Sequence, residues 1–190
     1  MIKSEEYLSK DELASLGLAS CGRHVFISRR AVIANSASLH LGSSIRIDAF
    51  CSIIGRERVQ IGDFCHIGTS ATLSASAPIT IGSYSGIASG VRLFTSDDDY
   101  SGAYLTGPTV PPHTTGVQEG PVQIGSYCVI GSNSVVLPDT VLEEGAVIGA
   151  LSLARGRYEG WRIYGGVPAR LLKHRTQELL AKVPAATPTT

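Results

Sequence analysis

Residues 61–80 read IGDFCHIGTSATLSASAPIT, and they align without a gap with the blocks on either side, LGSSIRIDAFCSIIGRERVQ at 41–60 and IGSYSGIASGVRLFTSDDDY at 81–100. Within each block an aliphatic residue returns at every sixth position: Leu41, Ile47, Ile53; Ile61, Ile67, Leu73; Ile81, Ile87, Leu93. After an interruption the spacing becomes strictly six, through Ile124, Ile130, Val136, Leu142 and Ile148, and upstream Ile27, Ile33 and Leu39 form a weaker first coil. A period of six matches neither a helix at 3.6 nor a plainly alternating strand. It matches a short strand and a turn, repeated three times per coil around a triangular section. One hexad cannot bury its aliphatic residue alone, so the coils must stack on a shared axial core. A β-sandwich, the competing all-β arrangement, would space its strands irregularly.

Gly or Ala often follows the aliphatic residue, and a small residue often stands four after it (Cys51, Cys65, Ala71, Ser85, Cys128, Ser134, Ala146), as tight corners require. The 21 glycines, the 43% hydrophobic content and the 6% aromatic content suit a narrow core rebuilt in each layer rather than a globular one. The four cysteines form no CxxC pair and read as packing residues of a reduced protein. The fold class is an all-β solenoid, organised as an N-terminal helical cap (1–20), a β-helix (21–164) that ejects a long loop (94–121), and a C-terminal segment (165–190) with a short helix over Thr176–Lys182 and a frayed PAATPTT tail. In the cap, Ser9 and Glu12 form a capping box flanked by Leu8 and Leu13, with Gly17 closing the helix.

The formal net charge is zero and no basic cluster is long enough to track a phosphate backbone, which argues against nucleic acid as a partner. No apolar run of bilayer length and no secretory leader is visible, so a cytoplasmic protein without a membrane span is expected. Asp97, Asp98 and Asp99 lack the spacing of a metal site, and none is expected.

The stretch IGSNSVVLPDTVLEEGAVIGALSLARGRYEGWRIYGGVPARLLKHR, with its LP-x-x-x-L, VIGA-x-S and GVPA-R elements, resembles the hexapeptide-repeat acyltransferases over residues 20 to 175. The segments SKDELASLGLASCGRHVFISRRAVI, IRIDAFCSI and DDDYSGAYLTGPTVP look closer still to enzymes that acylate dTDP-4-amino-4,6-dideoxyglucose for O-antigen. General topology favours right-handed crossovers between parallel strands. The left-handed parallel β-helix expected here is therefore implied by the resemblance, as is a homotrimer with acetyl-CoA in the groove between subunits. By the same resemblance Gly131 and Ser132 line the pantetheine path, Ala150 offers a backbone contact, Arg155 lies further along, and Arg170 and Lys173 approach the 3'-phosphate. Corner packing and solvated surface charge are the competing readings for these positions.

In the sugar O-acetyltransferases of this family a loop histidine stands five residues after the last hexad aliphatic and deprotonates the acceptor hydroxyl. Here that position is Asp98. A hydroxyl needs a positioned base, worth roughly 10²- to 10⁴-fold, whereas a neutral amine does not. The aspartates then suit an ammonium, with Asp97 or Asp98 receiving its proton and Asp99 and Tyr100 contacting substrate. His113 on the loop and His66 on an outward coil position are rival bases or substrate contacts. The expected function is N-acetylation of a nucleotide-linked amino sugar, with O-acetylation of a sugar or glycan precursor as the alternative. A non-catalytic β-helix binding module is the reading of another class.

Overall fold

The computed structural model describes residues 6–183. Its scaffold is a left-handed parallel β-helix of about seven coils. Three parallel sheets run its length. The first carries the strands from Ser20–Cys21 through Leu39–Leu41 to Arg157–Tyr158, the second those from Val25–Ile27 to Arg162–Gly165, and the third those from Val32–Ala34 to Leu153–Ala154. Register follows the repeat. Leu41 pairs with Ile61, twenty residues on, whereas Ile124 pairs with Leu142 and Ile130 with Ile148, eighteen residues on. In the last coil the step shortens to sixteen, Ile148 to Tyr164.

Every hexad aliphatic from Leu41 to Ile148 is at most 3% exposed, and the small residues four places later, Cys51, Cys65, Ala71, Ser85, Cys128, Ser134 and Ala146, are at most 2%. The expectation that the aliphatics share an axial core is met, and the small residues read as suiting tight corners also face inward. Ile33 is only half-buried. Cys21 departs from the packing role expected of the cysteines. It sits in the first strand, where no preceding coil covers it, and is exposed.

The corner between hexads takes its sharp bend at the third residue after the aliphatic one, in the left-handed region: Phe64 (φ 56°), Tyr84 (60°) and Tyr127 (60°) on one edge, and Ser70 (61°), Asn133 (58°) and Leu151 (55°) on the next. This conformation disfavours bulky residues. On the first edge stacking offsets the strain, with ring centroids 4.7 Å apart for Phe64–Tyr84 and 5.3 Å for Tyr84–Tyr127, and Trp161 6.2 Å beyond. Arg175 closes the ladder over the Trp161 ring and donates from Nη1 to the carbonyls of Tyr127 and Gly145.

Helix α1, Lys10–Ser15, covers the open first coil. Its N-cap Ser9 and Glu12 form the expected reciprocal capping box, and Glu12 also pairs with Arg29 of the first coil. At the far end Tyr158 and Tyr164 meet edge to face and plug the core. There the break expected at Gly165-Gly166-Val167-Pro168 takes the form of a hairpin. Arg162–Gly165 turns back into an antiparallel strand, Arg170–His174, which hydrogen-bonds the last strand of the second sheet. No hexad signal marks that strand, because it packs no core. The expected C-terminal helix is a short 3-10 segment, Glu178–Lys182, and the PAATPTT tail lies outside the described residues.

Candidate active site

The loop leaves the fourth coil after Arg92–Phe94 and re-enters at Val122–Ile124. Its root is a two-residue antiparallel pairing, Ser96 with Glu119 and Asp97 with Gln118. Thr95, fully buried, locks this root to the third coil: its Oγ1 accepts from the amides of Ser76 and Ala77 and donates to the Ser74 carbonyl. An ejected segment is thus anchored where it meets the scaffold.

The three aspartates have separate surroundings. Asp97 accepts a hydrogen bond from the Tyr100 hydroxyl (2.7 Å) and faces Arg155 at 3.7 Å. That contact pushes the Tyr100 phenol above its ordinary range. Asp99 spends Oδ2 on the amides of Ser101 and Gly102 and the Ser101 hydroxyl, which folds a tight turn. Asp98 lines a cleft of about 470 Å³ under the loop, together with Arg56, Ser76, Asp97, Pro108 and Glu119. It has no hydrogen-bond partner among the described residues. The cleft therefore gathers three carboxylates against one guanidinium, a setting that favours a cation.

His113 lies on the exposed turn Pro112–Thr114 and is not among the residues lining the cleft. His66 is likewise not among the residues lining the cleft; it lies on the outer face of the second sheet, with Nε2 2.7 Å from the Asp48 carboxylate. Among the described residues no group of three or more metal-ligating side chains converges.

The expected pantetheine residues occupy a different edge of the prism, between the second and third sheets. Gly131 follows Ile130, Gly149 and Ala150 follow Ile148, and Gly165 follows Tyr164, so register stacks them in successive coils. A Cβ on Gly131 would collide with the backbone of Ala150, so glycine is required there by coil stacking whatever else it does. Ser132 is half-buried and Ala150 exposed on the same edge. Arg170 pairs with Gly165 and extends the edge as a cation, and Lys173 pairs with Ile163 on the hairpin. Arg155 is not on this edge: it follows Ala154 at the corner the loop springs from, and donates to Gln118 Oε1 as well as facing Asp97. Within one chain the carboxylate cleft and the glycine edge lie on opposite borders of the third sheet.

Sequence reasoning did not single out Thr95, Arg56, Glu119 or Asp48, since none falls in a motif. Thr95 could have been found as a polar residue two after the hexad aliphatic Leu93, where Ala75 and Gly55 stand in the preceding coils.

Residues 121–153 match the family model described as bacterial transferase hexapeptide (six repeats). Over 175 residues the chain is 36% identical to a dTDP-4-amino-4,6-dideoxy-D-glucose acyltransferase of Escherichia coli, covering 92% of this chain and 91% of that one. It is 30% identical over 159 residues, 77% of this chain and 76% of the other, to an Escherichia coli protein named as the lipopolysaccharide biosynthesis O-acetyl transferase WbbJ. Among solved structures it superposes with a TM-score of 0.91 and 34% identity on AntD, an N-acyltransferase from Bacillus cereus, in complex with dTDP-4-amino-4,6-dideoxyglucose and coenzyme A, over 94% of this chain and 95% of that one.

Proposed function

The chain belongs to the hexapeptide-repeat acyltransferase family, and from that premise we propose that it transfers an acetyl group from acetyl-CoA to the amine of a nucleotide-linked amino sugar for surface polysaccharide. The observation that carries this reading is the cleft under the loop, where Asp97, Asp98 and Glu119 converge and from whose lining His113 is missing. Carboxylates attract an ammonium, whereas a hydroxyl acceptor would need a base nearer neutral pKa. AntD, bound to an amino-sugar nucleotide, supports the same acceptor class.

In this mechanism the neutral amine attacks the thioester carbonyl, giving a tetrahedral intermediate with a positively charged nitrogen and an oxyanion. Acylation in progress makes that nitrogen far more acidic than the free ammonium, so a carboxylate can take its proton. Asp98, unpartnered in the cleft, is the acceptor of that proton. Asp97, engaged by Tyr100 and Arg155, holds the loop root. Backbone amides along the glycine edge stabilise the oxyanion. Collapse expels the coenzyme A thiolate, which takes up a proton and leaves as the thiol.

We assign a homotrimer as the working unit. Support comes from the separation of the cleft and the glycine edge within one chain, so that a neighbour must supply one of them to complete a site. It also comes from the outward rows. The first sheet shows Ser20, His40, Gln60, Thr80 and Gln123, while the last coils of the second and third show Val129, Val147, Ile163, Val135 and Leu153. No helix among the described residues is long and apolar enough to cross a membrane, and we place the enzyme in the cytoplasm, where acetyl-CoA and nucleotide sugars are available.

The test is coenzyme A thiol release with acetyl-CoA and two acceptors, a dTDP-4-amino-4,6-dideoxy sugar and its 4-hydroxyl counterpart. Turnover of the amine alone is expected. Preference for the hydroxyl would overturn the amine reading and return the base to His113 or His66.

A further inference from the structure

A cavity of about 500 Å³ lies between helix α1 and the first coil. Pockets that hold small molecules span roughly 300–1,000 Å³. On the helix side it is lined by Lys10, Leu13 and Ala14, which share one face at i, i+3 and i+4. On the coil side it is lined by the corner, residues 21–26, and Leu8 closes it ahead of the N-cap. It shares no residue with the cleft under the loop or with the glycine edge. The corner explains the space. The pairings Val25–Ile45 and Arg46–His66 bring His24, Ser44 and Phe64 to the same place in successive coils, all with left-handed φ. From Phe64 onward stacked rings fill this edge, so the stack stops two coils short of α1.

The lining is divided by polarity and by depth. Val25 is buried and Leu8 and Leu13 are half-buried, whereas Lys10, Arg23 and His24 are exposed. Among the described residues none of these three forms an ion pair, and no carboxylate lines the cavity. Glu12, on the same helix, is engaged by Arg29 of the first coil. An apolar floor beneath two permanent cations and an imidazole fits an amphiphile whose chain enters the cavity and whose anionic head stays at the mouth. One carboxylate compensates only one of the two fixed charges. A phosphate monoester carries roughly −1.5 to −2 at pH 7 and balances Lys10 and Arg23 together. The guanidinium also offers paired donors that match phosphate oxygens.

We propose that this cavity is a binding site for a lipid-like phosphate monoester, a hydrocarbon chain carrying a phosphate head. Leu8, Leu13, Val25 and Phe26 take the chain, and Arg23, Lys10 and His24 take the phosphate. Because α1 and the first coil supply opposite walls, the occupant ties the cap to the solenoid. The site stands apart from the transfer chemistry, and its ligand is neither of the two substrates.

The experiment titrates octyl phosphate into the full-length protein by calorimetry, with octanoate and octanol as comparison ligands, for wild type, Arg23→Gln and Ala14→Trp. Wild type is expected to bind one octyl phosphate per chain, at least tenfold more tightly than octanol and severalfold more tightly than octanoate. Arg23→Gln, a change at an exposed side chain, should lose tenfold or more in affinity for octyl phosphate and keep its weak affinity for octanol. Ala14→Trp fills the cavity from the helix side and should abolish binding of all three. A second readout does not depend on the variants: Cys21 lines the cavity, so saturating octyl phosphate should slow its reaction with a disulfide reagent about tenfold. Absence of binding by wild type, or binding with Cys21 left unprotected, overturns the site. Octanol or octanoate binding as tightly as octyl phosphate overturns the phosphate head. Competitive displacement of octyl phosphate by dTDP or by coenzyme A would make the cavity part of the substrate sites and overturn the proposal in that way.

Discussion

Arg155, at the end of the sixth coil, stands 3.7 Å from Asp97, at the root of a loop that leaves the solenoid two coils earlier. The same guanidinium donates to Gln118 on the returning strand, so one side chain holds both legs of the loop. Arg155 is nearly half exposed, and a single exposed pair contributes only about 0–1 kcal/mol. Arg155→Ala should therefore leave the melting temperature nearly unchanged while amide exchange at Ser96–Asp97 and Gln118–Glu119 accelerates severalfold. Unchanged exchange at those amides would show that Arg155 does not hold the loop.

Asp98→Asn keeps shape and removes the proton acceptor from the cleft. A kcat loss of roughly 10²-fold or more is expected for the amino sugar, with little change in the KM for acetyl-CoA. Full activity in this variant would remove Asp98 from the mechanism.

Gly131→Ala places a methyl group against the Ala150 backbone, where neither chain can yield without disturbing the sheet. Overpacking of this kind costs about 1–3 kcal/mol, so the denaturation midpoint should fall. Ser132→Ala, next along the edge, should leave stability alone and change only the acetyl-CoA KM. Equal stability loss in both would argue for packing as the role of the whole edge.

Burial pushes the Cys65 and Cys128 thiols up to about 11 and raises Cys51 as well. Thiolate is the reactive form. At pH 8 a disulfide reagent should modify Cys21 alone in the native protein, and all four thiols only after unfolding. Rapid reaction of a second thiol would mean that the axial core opens under native conditions.

Hydrogen bonds from Arg29 and from the Ser9 amide hold the Glu12 carboxyl at about 2, below the ordinary 4.5. A depressed carboxyl stabilises the folded cap fully above its unfolded value and loses that contribution as pH falls toward the folded one. Amide exchange at Leu13 and Leu16 should accordingly quicken as pH drops from about 4.5 toward about 2, once corrected for intrinsic rates. In Glu12→Gln this acid-dependent step should disappear.

The solenoid was legible because its signal is repeated. Each of Ile47, Ile67, Ile87 and Ile130 occupies the same place in the section, so register could be counted before any strand was seen. The left-handed corner residue was not legible, because Phe64, Tyr84, Tyr127 and Leu151 are types that rarely adopt positive φ; on the aromatic edge stacking helps to offset the strain. Nor was the hairpin strand Arg170–His174, whose side chains are all exposed and leave no periodic trace. In the site, the motif placed Gly131, Ala150 and Arg170 on one edge. It gave no sign that Arg155 belongs to the loop, since that contact depends on coil count rather than on neighbouring residues.

That dependence makes the solenoid a ruler. The described solenoid is stoppered by α1 on one side and by the antiparallel hairpin on the other, so between these stoppers it lengthens by gaining a whole coil. A coil duplicated before the loop would leave the distance between Asp97 and Arg155 intact. One inserted after it would carry Arg155 about 5 Å further along the axis and release the loop. Duplication, the cheapest genetic change open to a repeat protein, is thus neutral for loop geometry on one side of residue 94 and disruptive on the other. Relatives of differing coil number are expected to have grown on the N-terminal side.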